Sequence, residues 1–275
     1  MKLAFLFLTQ DDHNQGELWE AFFGNLSRER YSIFCHPKFP DRVTQPFLRD
    51  NIIPETINTG HADISLVRAT ILLLTRAFMD PQNNFFILLS ESCIPLFGID
   101  QILKGLSRSG KSLISYEAGV PGELRTTRCL QLRDPSFLAS NRFAKQHQWM
   151  ALHRPLVEII LQHDFTDVFE KMYAPDEHYF INLLIKLNLP LDNLIANQQV
   201  TFVNWQELET DKVSTRDSEG RKITLSRIRP KTYQHLSTKD IVAARKMGCL
   251  FFRKVSPSCD VSYLTRLVRV MNSLQ

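Results

Sequence analysis

The sequence predicts an α/β protein in which helices cover both faces of a mostly parallel central sheet. Short apolar runs alternate with longer segments that have apolar residues at helical spacing through the first hundred residues. Such alternation is typical of a parallel sheet enclosed by helices. The chain is also long enough, at 275 residues and 44% hydrophobic composition, to bury a sizeable core.

The elements of this first part follow in chain order. Apolar runs predict strands at residues 3–9, 31–36, 85–89 and 111–116. Amphipathic spacing predicts helices at residues 16–26, 64–78 and 99–106. Because ligands of parallel sheets bind beyond the carboxyl ends of the strands, we expect the residues that follow three of these strands to form one polar rim: 9–11, 35–36 and 90–93.

The second half of the chain has weaker periodicity. Residues 117–141 contain several arginines and no clear apolar period, which predicts a long loop. Loops of that length are usually functional or mobile. Further helices are predicted at residues 143–161, 238–246 and 260–271, and strands at 201–205 and 249–252. Residues 211–222 are polar and predict an exposed turn. The sequence has no internal repeat, so we expect one domain over residues 1–275.

The segment that begins Ala174-Pro175-Asp176-Glu177 predicts the start of a helix. Proline suits the first helical position, and apolar residues recur at helical spacing from 180 to 187. Asp176 and Glu177 fall in the predicted first turn, where the helix dipole favours carboxylates. Taken alone, this pattern indicates that Asp176 and Glu177 stabilise the first turn of a helix and have no further role.

Composition excludes several classes of protein. The net charge of +4 and pI of about 8.8 are mild, and no basic run is interleaved with aromatics, so we expect no nucleic-acid partner. Five cysteines without a CxxC pair indicate a reducing compartment. The N-terminal apolar run is short and lacks a small-residue cleavage site, and no stretch reaches the roughly 20 apolar residues of a membrane span. We therefore expect a cytoplasmic protein as sequenced, with the Golgi lumen as its site only if an anchor precedes this sequence.

Common catalytic motifs are absent from the sequence. It contains no GxGxxG, no HExxH, no GxSxG and no Asp-x-Asp. The remaining candidates are the polar rim, the acidic segment at Asp176 and a group of basic residues near the C-terminus: Arg227, Arg229, Lys231, Arg253 and Lys254.

Six segments in order along the chain resemble the core-2/I-branching glycosyltransferase family, and most closely its plant-type branch. They are AFLFLT at 4–9 followed by Leu18-Trp19, FILLSESCIPL at 86–96, Gln148-Trp149 with Arg154, DEHYF at 176–180, TFVNW at 201–205 and LFFRK at 250–254. Each is weak alone, because a short apolar strand that ends in serine is common. Their shared order makes the resemblance specific.

The resemblance implies a GT-A-like fold and inverting sugar transfer from a UDP-sugar without a metal or other cofactor. Family members transfer GlcNAc to branching positions or xylose to serine, so UDP-GlcNAc is the first choice of donor and UDP-xylose the second. The acceptor would be a glycan or a glycoprotein. The nucleotide-binding part would span about residues 1–116, and the acceptor and catalytic part about 117–275.

The resemblance also implies roles for particular residues. Glu177 matches the general base, and Asp176 would cap backbone N–H groups or hold Glu177 in place. Lys254 matches the lysine that binds the donor diphosphate, with Arg253 beside it. Arg229 is the choice for the second diphosphate cation, with Lys231 or Arg227 as alternatives.

Other matched positions have alternative explanations. His36 matches a position near the donor nucleotide but is equally typical of a histidine at a strand end. Ser90 and Glu91 lie where donor or acceptor would pass, and Trp149 and Trp205 could stack on a sugar or fill the core. The family usually has a carboxylate where this sequence has Thr70, which puts one nucleotide contact in doubt. The alternative function is a non-catalytic carbohydrate- or nucleotide-binding relative of the same fold.

Overall fold

The computed structural model describes residues 1–119, 132–137, 142–216 and 222–273, with side chains given for all of these except 206–216, 222–228 and 273. The strands of this part, in chain order, are β1 (Lys2–Thr9), β2 (Tyr31–Pro37), β3 (Asn83–Ser90), β4 (Ile94–Pro95), β5 (Ser112–Leu113), β6 (Tyr116–Ala118), β7 (Ala144–Gln146), β8 (Ala151–His153), β9 (Ile195–Ala196), β10 (Thr201–Val203), β11 (Trp205–Arg216), β12 (Lys222–Pro230) and β13 (Phe251–Arg253). The α-helices are α1 (Gly16–Phe23), α2 (Pro46–Arg49), α3 (Ile64–Phe78), α4 (Ile99–Ser107), α5 (Arg154–Leu161), α6 (Tyr179–Lys186), α7 (Leu191–Leu194), α8 (Thr238–Lys246) and α9 (Ser262–Ser273).

A six-stranded sheet in the order β2-β1-β3-β8-β5-β9 forms the centre of the protein. β1 runs parallel to both β2 and β3, whereas β8 is antiparallel to its neighbours β3 and β5. Seven of the eight residues of β1 are buried, because helices cover both of its faces. The predicted α/β class with a mostly parallel sheet is confirmed.

Several elements agree with the prediction because their local signals are strong. α3 has the predicted bounds, and the Asp63 side chain caps it by accepting a hydrogen bond from the Ser65 N–H at 2.9 Å. α8 also has the predicted bounds and begins with a capping box between Ser237 and Asp240. No helix among the described residues has the length and apolar character that a membrane crossing needs.

The helix predicted over residues 143–161 is wrong in its first half. Residues 144–146 form β7, residues 151–153 form β8, and only Arg154–Leu161 is helical. An apolar run such as 149–152 suits a strand as well as a helix. The tertiary structure selects the strand for residues 151–153, because β8 pairs with β3 in the central sheet. Pro155 sets the start of α5.

The helix predicted from Pro175 onward also needs correction. Pro175–Glu177 form a 3₁₀ turn, and α6 begins only at Tyr179. His178 breaks the helix with a φ of −138°. Its imidazole Nδ1 lies 3.1 Å from the Ala144 carbonyl oxygen and its ring stacks on Phe143, so packing against β7 holds this residue outside helical geometry.

Three predicted strands are shorter or displaced. The strand predicted at residues 111–116 is divided, because β5 stays in the central sheet while β6 leaves it to pair with β7. The strand predicted at 201–205 ends at Val203, and Trp205 begins β11. Asn204 makes this break, since its side-chain amide donates to the Tyr233 hydroxyl at 3.0 Å and its carbonyl accepts from the Lys231 N–H at 2.7 Å. The last strand is Phe251–Arg253 instead of 249–252.

The two loop predictions are partly wrong. Within the predicted turn at 211–222, the backbone of residues 211–216 and 222 belongs to the β11–β12 hairpin, because antiparallel pairing does not require apolar side chains. Within the predicted loop at 117–141, Glu117 and Ala118 pair with β7. Residues 217–221, 120–131 and 138–141 lie outside the described part of the chain.

A small second sheet brings the end of the chain to the central one. β13 pairs in parallel with β10 and antiparallel with β4, which follows directly after β3. The register sets Phe252 opposite Ile94. As a result, the residues at the end of β13 lie beside the carboxyl end of β3, more than 150 positions earlier in the sequence.

Candidate functional site

A cleft of about 1160 Å³ opens at the carboxyl edge of the central sheet. Gln10, directly after β1, and Glu91, directly after β3, form part of its wall. Its volume exceeds the roughly 300–1,000 Å³ of ordinary small-molecule sites, so it has room for more than one substrate. The charged and aromatic side chains that line it include Glu117, Lys145, His147, Trp149, Tyr173, Asp176, Glu177, Trp205, Arg229, Arg253 and Lys254.

One wall of the cleft is formed by the turn before α6. Ala174 has the left-handed φ of 53°, and its N–H donates to the carbonyl of Ala62, which also has a φ of 53°. The turn that follows places Asp176 and Glu177 at the cleft, with 8% of Asp176 exposed. Both acids precede α6 instead of occupying its first turn, so the helix-dipole argument for Glu177 does not apply as predicted.

Glu177 forms an ion pair across the cleft wall. Its carboxylate Oε2 lies 3.4 Å from the Nζ of Lys145 on β7. Glu117, on the neighbouring strand β6, is directly opposite Lys145 in the antiparallel register. A lysine ammonium therefore stands among carboxylates at this end of the cleft.

His147 lies at the same end and responds to these charges. Burial lowers the pKa of His147, and the positive charge of Lys145 lowers it further, while Glu177 and Glu117 act in the opposite direction. The net direction keeps its imidazole neutral at pH 7.

Three basic side chains line the cleft, Arg229, Arg253 and Lys254, and together they are called the basic wall. Arg253 stacks on the Trp149 ring, with its Cζ 4.6 Å from the ring centroid, and its Nε donates to the Ser90 hydroxyl at 3.2 Å. Lys254 follows it at the end of β13, where its carbonyl accepts from the Tyr233 N–H at 2.8 Å. Arg229, near the end of β12, lines the same wall. Ser90 is thus a partner of a cleft residue, although it does not itself line the cleft.

Two predicted donor-binding residues lie elsewhere. His36 is fully buried, its Nε2 accepts from the Ile57 N–H at 3.0 Å, and burial lowers its pKa. Lys231 places its Nζ 4.4 Å from the centroid of the Tyr233 ring and is absent from the lining of the cleft. The side chain of Arg227 lies outside the described part.

The two tryptophans differ in exposure. Trp149 is 6% exposed and supports Arg253, so most of its ring belongs to the core. Trp205 is 46% exposed where it lines the cleft. Tyr173, which sequence reasoning missed, is a second large aromatic at the cleft and is 54% exposed.

Within the described ranges, no three side chains of histidine, cysteine, aspartate or glutamate are grouped so that they could hold a metal ion. Cys93, which follows β3, is fully buried, and burial raises the pKa of its thiol. It accepts a hydrogen bond from the Ser90 N–H at 3.3 Å, so its thiol is a buried packing group.

Lys145 and His147 were missed because of the incorrect helix at 143–161, and Glu117 was missed because it falls at the start of the predicted loop 117–141. Residues 144–146 are Ala-Lys-Gln and do not alternate between apolar and polar, so the sequence pattern gave no signal for the strand that directs residue 145 away from its buried neighbours.

The mostly parallel sheet with a cleft at its carboxyl edge is a GT-A-like fold. The sequence matches the family model of the core-2/I-branching enzyme over residues 3–238. The chain therefore belongs to the core-2/I-branching enzyme family. It is similar to "Glycosyltransferase BC10" of Oryza sativa subsp. japonica, with 24% identity over 252 residues. The alignment covers 80% of this chain, and the chain spans about 60% of the length of that relative.

Proposed function

We propose that this protein is a glycosyltransferase that moves a sugar from a UDP-sugar to an acceptor hydroxyl, with inversion at the anomeric carbon and without a metal. The observation that supports this proposal most is that one cleft is lined both by a carboxylate, Glu177, and by the three cationic side chains of Arg229, Arg253 and Lys254. UDP-GlcNAc is the first choice of donor and UDP-xylose the second.

Glu177 is the proposed general base. As the acceptor oxygen bonds to the anomeric carbon, its proton passes to the Glu177 carboxylate, and the bond from that carbon to the diphosphate oxygen breaks. UDP leaves with the electron pair of that bond. A positioned base of this kind contributes about 10²–10⁴-fold to the rate.

The basic wall is proposed to bind the leaving diphosphate. Negative charge grows on UDP as the bond breaks, and preorganised cations stabilise that charge in the transition state. Arg253 is held in place by Trp149 and Ser90, so its guanidinium needs little reorganisation. Lys254 and Arg229 add two further positive charges along the same wall.

The first experiment is a thermal-shift panel of UDP, UDP-GlcNAc, UDP-xylose, UDP-galactose and UDP-glucose, each with EDTA and with Mn²⁺. A bound donor should raise the melting temperature by mass action. Stabilisation by one UDP-sugar in EDTA identifies the donor and supports metal independence. Activity that EDTA abolishes and Mn²⁺ restores would contradict the metal-free mechanism.

Glu177→Gln tests the base. The variant should retain UDP affinity while transfer falls by about 100-fold or more, and the exposed Glu55→Gln serves as the matched control. Unchanged transfer in Glu177→Gln would remove this residue from its role. If the parent protein binds a UDP-sugar but releases no UDP, the non-catalytic binding relative becomes the better explanation.

Lys254→Ala tests the basic wall. UDP affinity should fall about tenfold, as expected for a lost charge-assisted hydrogen bond. Lys246→Ala, on the exposed surface of α8, controls for the general effect of removing a lysine. Equal UDP affinity in Lys254→Ala and the parent would exclude Lys254 from the donor site.

A further inference from the structure

The ion pair between Lys145 and Glu177 gives information about the acceptor. The two side chains are 41% and 23% exposed, respectively, and both line the cleft. Their charged atoms are 3.4 Å apart. A molecule whose hydroxyl reaches the Glu177 carboxylate therefore also comes within hydrogen-bonding reach of the Lys145 ammonium.

The position of Lys145 is fixed by its neighbours on β7. Ala144 and Gln146 point into the protein, where Ala144 bonds to the side chain of Asn182 and the Gln146 Oε1 accepts from the Ile181 N–H at 2.7 Å. Both partners belong to α6, which follows the turn that contains Glu177. The same contacts therefore hold the backbone of Lys145 in a fixed position relative to the turn that contains Glu177.

The chemistry of this pair suits two adjacent oxygens. An ionised carboxylate only accepts hydrogen bonds, and a lysine ammonium only donates them. If Glu177 accepts from the reacting hydroxyl, Lys145 can donate to the oxygen beside it. A sugar has such a neighbouring oxygen, whereas a serine side chain has only one.

Exposed aromatic rings at the cleft point to the same class of acceptor. Tyr173 and Trp205 are each about half exposed, at 54% and 46%. Tyrosine and tryptophan rings combine an apolar face with a polar tip, so they suit sites that are apolar on one side and in contact with water on the other. The C–H face of a sugar ring provides the apolar side.

We propose that Lys145 is an acceptor-binding residue and that the acceptor is a sugar diol, in which Glu177 deprotonates one hydroxyl and Lys145 binds the neighbouring oxygen. This inference rests on the proposed function. It favours transfer to a glycan over transfer to a serine hydroxyl.

The test measures UDP release with the donor found by thermal shift. The acceptors are methyl glycosides of galactose, N-acetylgalactosamine, glucose, mannose and xylose, together with a Gly-Ser peptide. The best glycoside is then compared with its monodeoxy derivatives that lack the hydroxyl next to the reacting one. The measured quantity is the ratio of kcat/KM for the diol to kcat/KM for the deoxy acceptor.

In the parent protein this ratio should be about tenfold or more, as expected for a hydrogen bond to a charged group. Lys145→Met should reduce the ratio to about one, whereas Lys145→Arg should retain most of it. Lys186→Met, which breaks an ion pair with Asp134 away from the cleft, should leave the ratio at the parent value. A lysine that only supported the structure would change both rates together and leave the ratio unchanged.

Two results would overturn the inference while the proposed function stands. One is transfer to the Gly-Ser peptide that equals or exceeds transfer to every glycoside. The other is an undiminished diol-to-deoxy ratio in Lys145→Met. If the parent protein releases no UDP with any donor or acceptor, the proposed function fails and the inference fails with it, and the parent protein alone reveals that outcome.

Discussion

Asn182 on α6 connects β7 with the end of the turn that contains Glu177. It is 1% exposed, its Oδ1 accepts from the Ala144 N–H at 2.9 Å, and its Nδ2 donates to the carbonyls of Ala144 and His178 at 2.8 and 2.7 Å. Asn182→Ala removes all three hydrogen bonds. We expect it to loosen β7 from the turn that precedes α6.

The magnitude follows from these contacts. A buried hydrogen bond contributes about 1 kcal/mol net, so the free energy of unfolding should fall by roughly 3 kcal/mol. For a chain of this size, about 1 kcal/mol corresponds to a shift of roughly 2–4 °C, and the melting temperature should fall by roughly 6–12 °C. Because Lys145 follows Ala144 on β7, transfer should also decrease.

Thermal and urea unfolding measure the stability effect, and UDP release measures the effect on transfer. Asn193→Ala, at an exposed position on α7, provides the matched control and should change the free energy of unfolding by less than about 0.5 kcal/mol. A loss below about 1 kcal/mol in Asn182→Ala would refute the reasoning that these bonds hold the two segments together.

Three further predictions concern pH, a helix end and the donor wall. Burial lowers the pKa of His13 to about 3, while the unfolded chain binds that proton near 6.5. Because only the unfolded state gains a proton between these values, the free energy of unfolding should fall by about 2 kcal/mol from pH 7 to pH 5. Urea titrations measure this loss, and an equally steep loss in His13→Asn would contradict His13 as its cause. Asn188, two residues beyond the end of α6, has a φ of 52°, and the next residue, Leu189, donates its N–H to the Leu184 carbonyl. Asn188→Ala should cost about 1 kcal/mol in thermal unfolding and Asn188→Gly should not, so equal stabilities would exclude backbone strain. Arg253→Lys loses the flat guanidinium that stacks on Trp149, and calorimetry should show UDP affinity reduced about tenfold; unchanged affinity would remove Arg253 from the donor site.

The sequence alone predicted elements whose signals are local. The helix at Ile64–Phe78 and the helix at Thr238–Lys246 have the predicted bounds, because apolar periodicity and capping side chains act within a few residues. The buried strands near residues 3–9 and 85–89 were predicted for the same reason. The order of these elements was sufficient to predict the α/β class and the sheet edge at which the cleft opens.

The site residues show where sequence reasoning ends. It identified Glu177, Arg253 and Lys254, all of which line the cleft. It also predicted His36 near the donor, and that side chain is buried, with its Nε2 bonded to the Ile57 N–H, and is not among the residues that line the cleft. A position at a strand end does not determine which way the side chain points, because that depends on what packs against the strand.

Only the tertiary structure decided the course of residues 143–153. Their apolar residues suit either a helix or a strand, and pairing of β8 with β3 selected the strand. Pairing of β7 with β6 turned Lys145 toward the cleft, where its Nζ lies 3.4 Å from the carboxylate of Glu177, 32 positions later in the sequence. The physical reason is that strand pairing and the packing of β7 on α6 are long-range contacts, and their free energy exceeds the small local preference that the sequence pattern expresses.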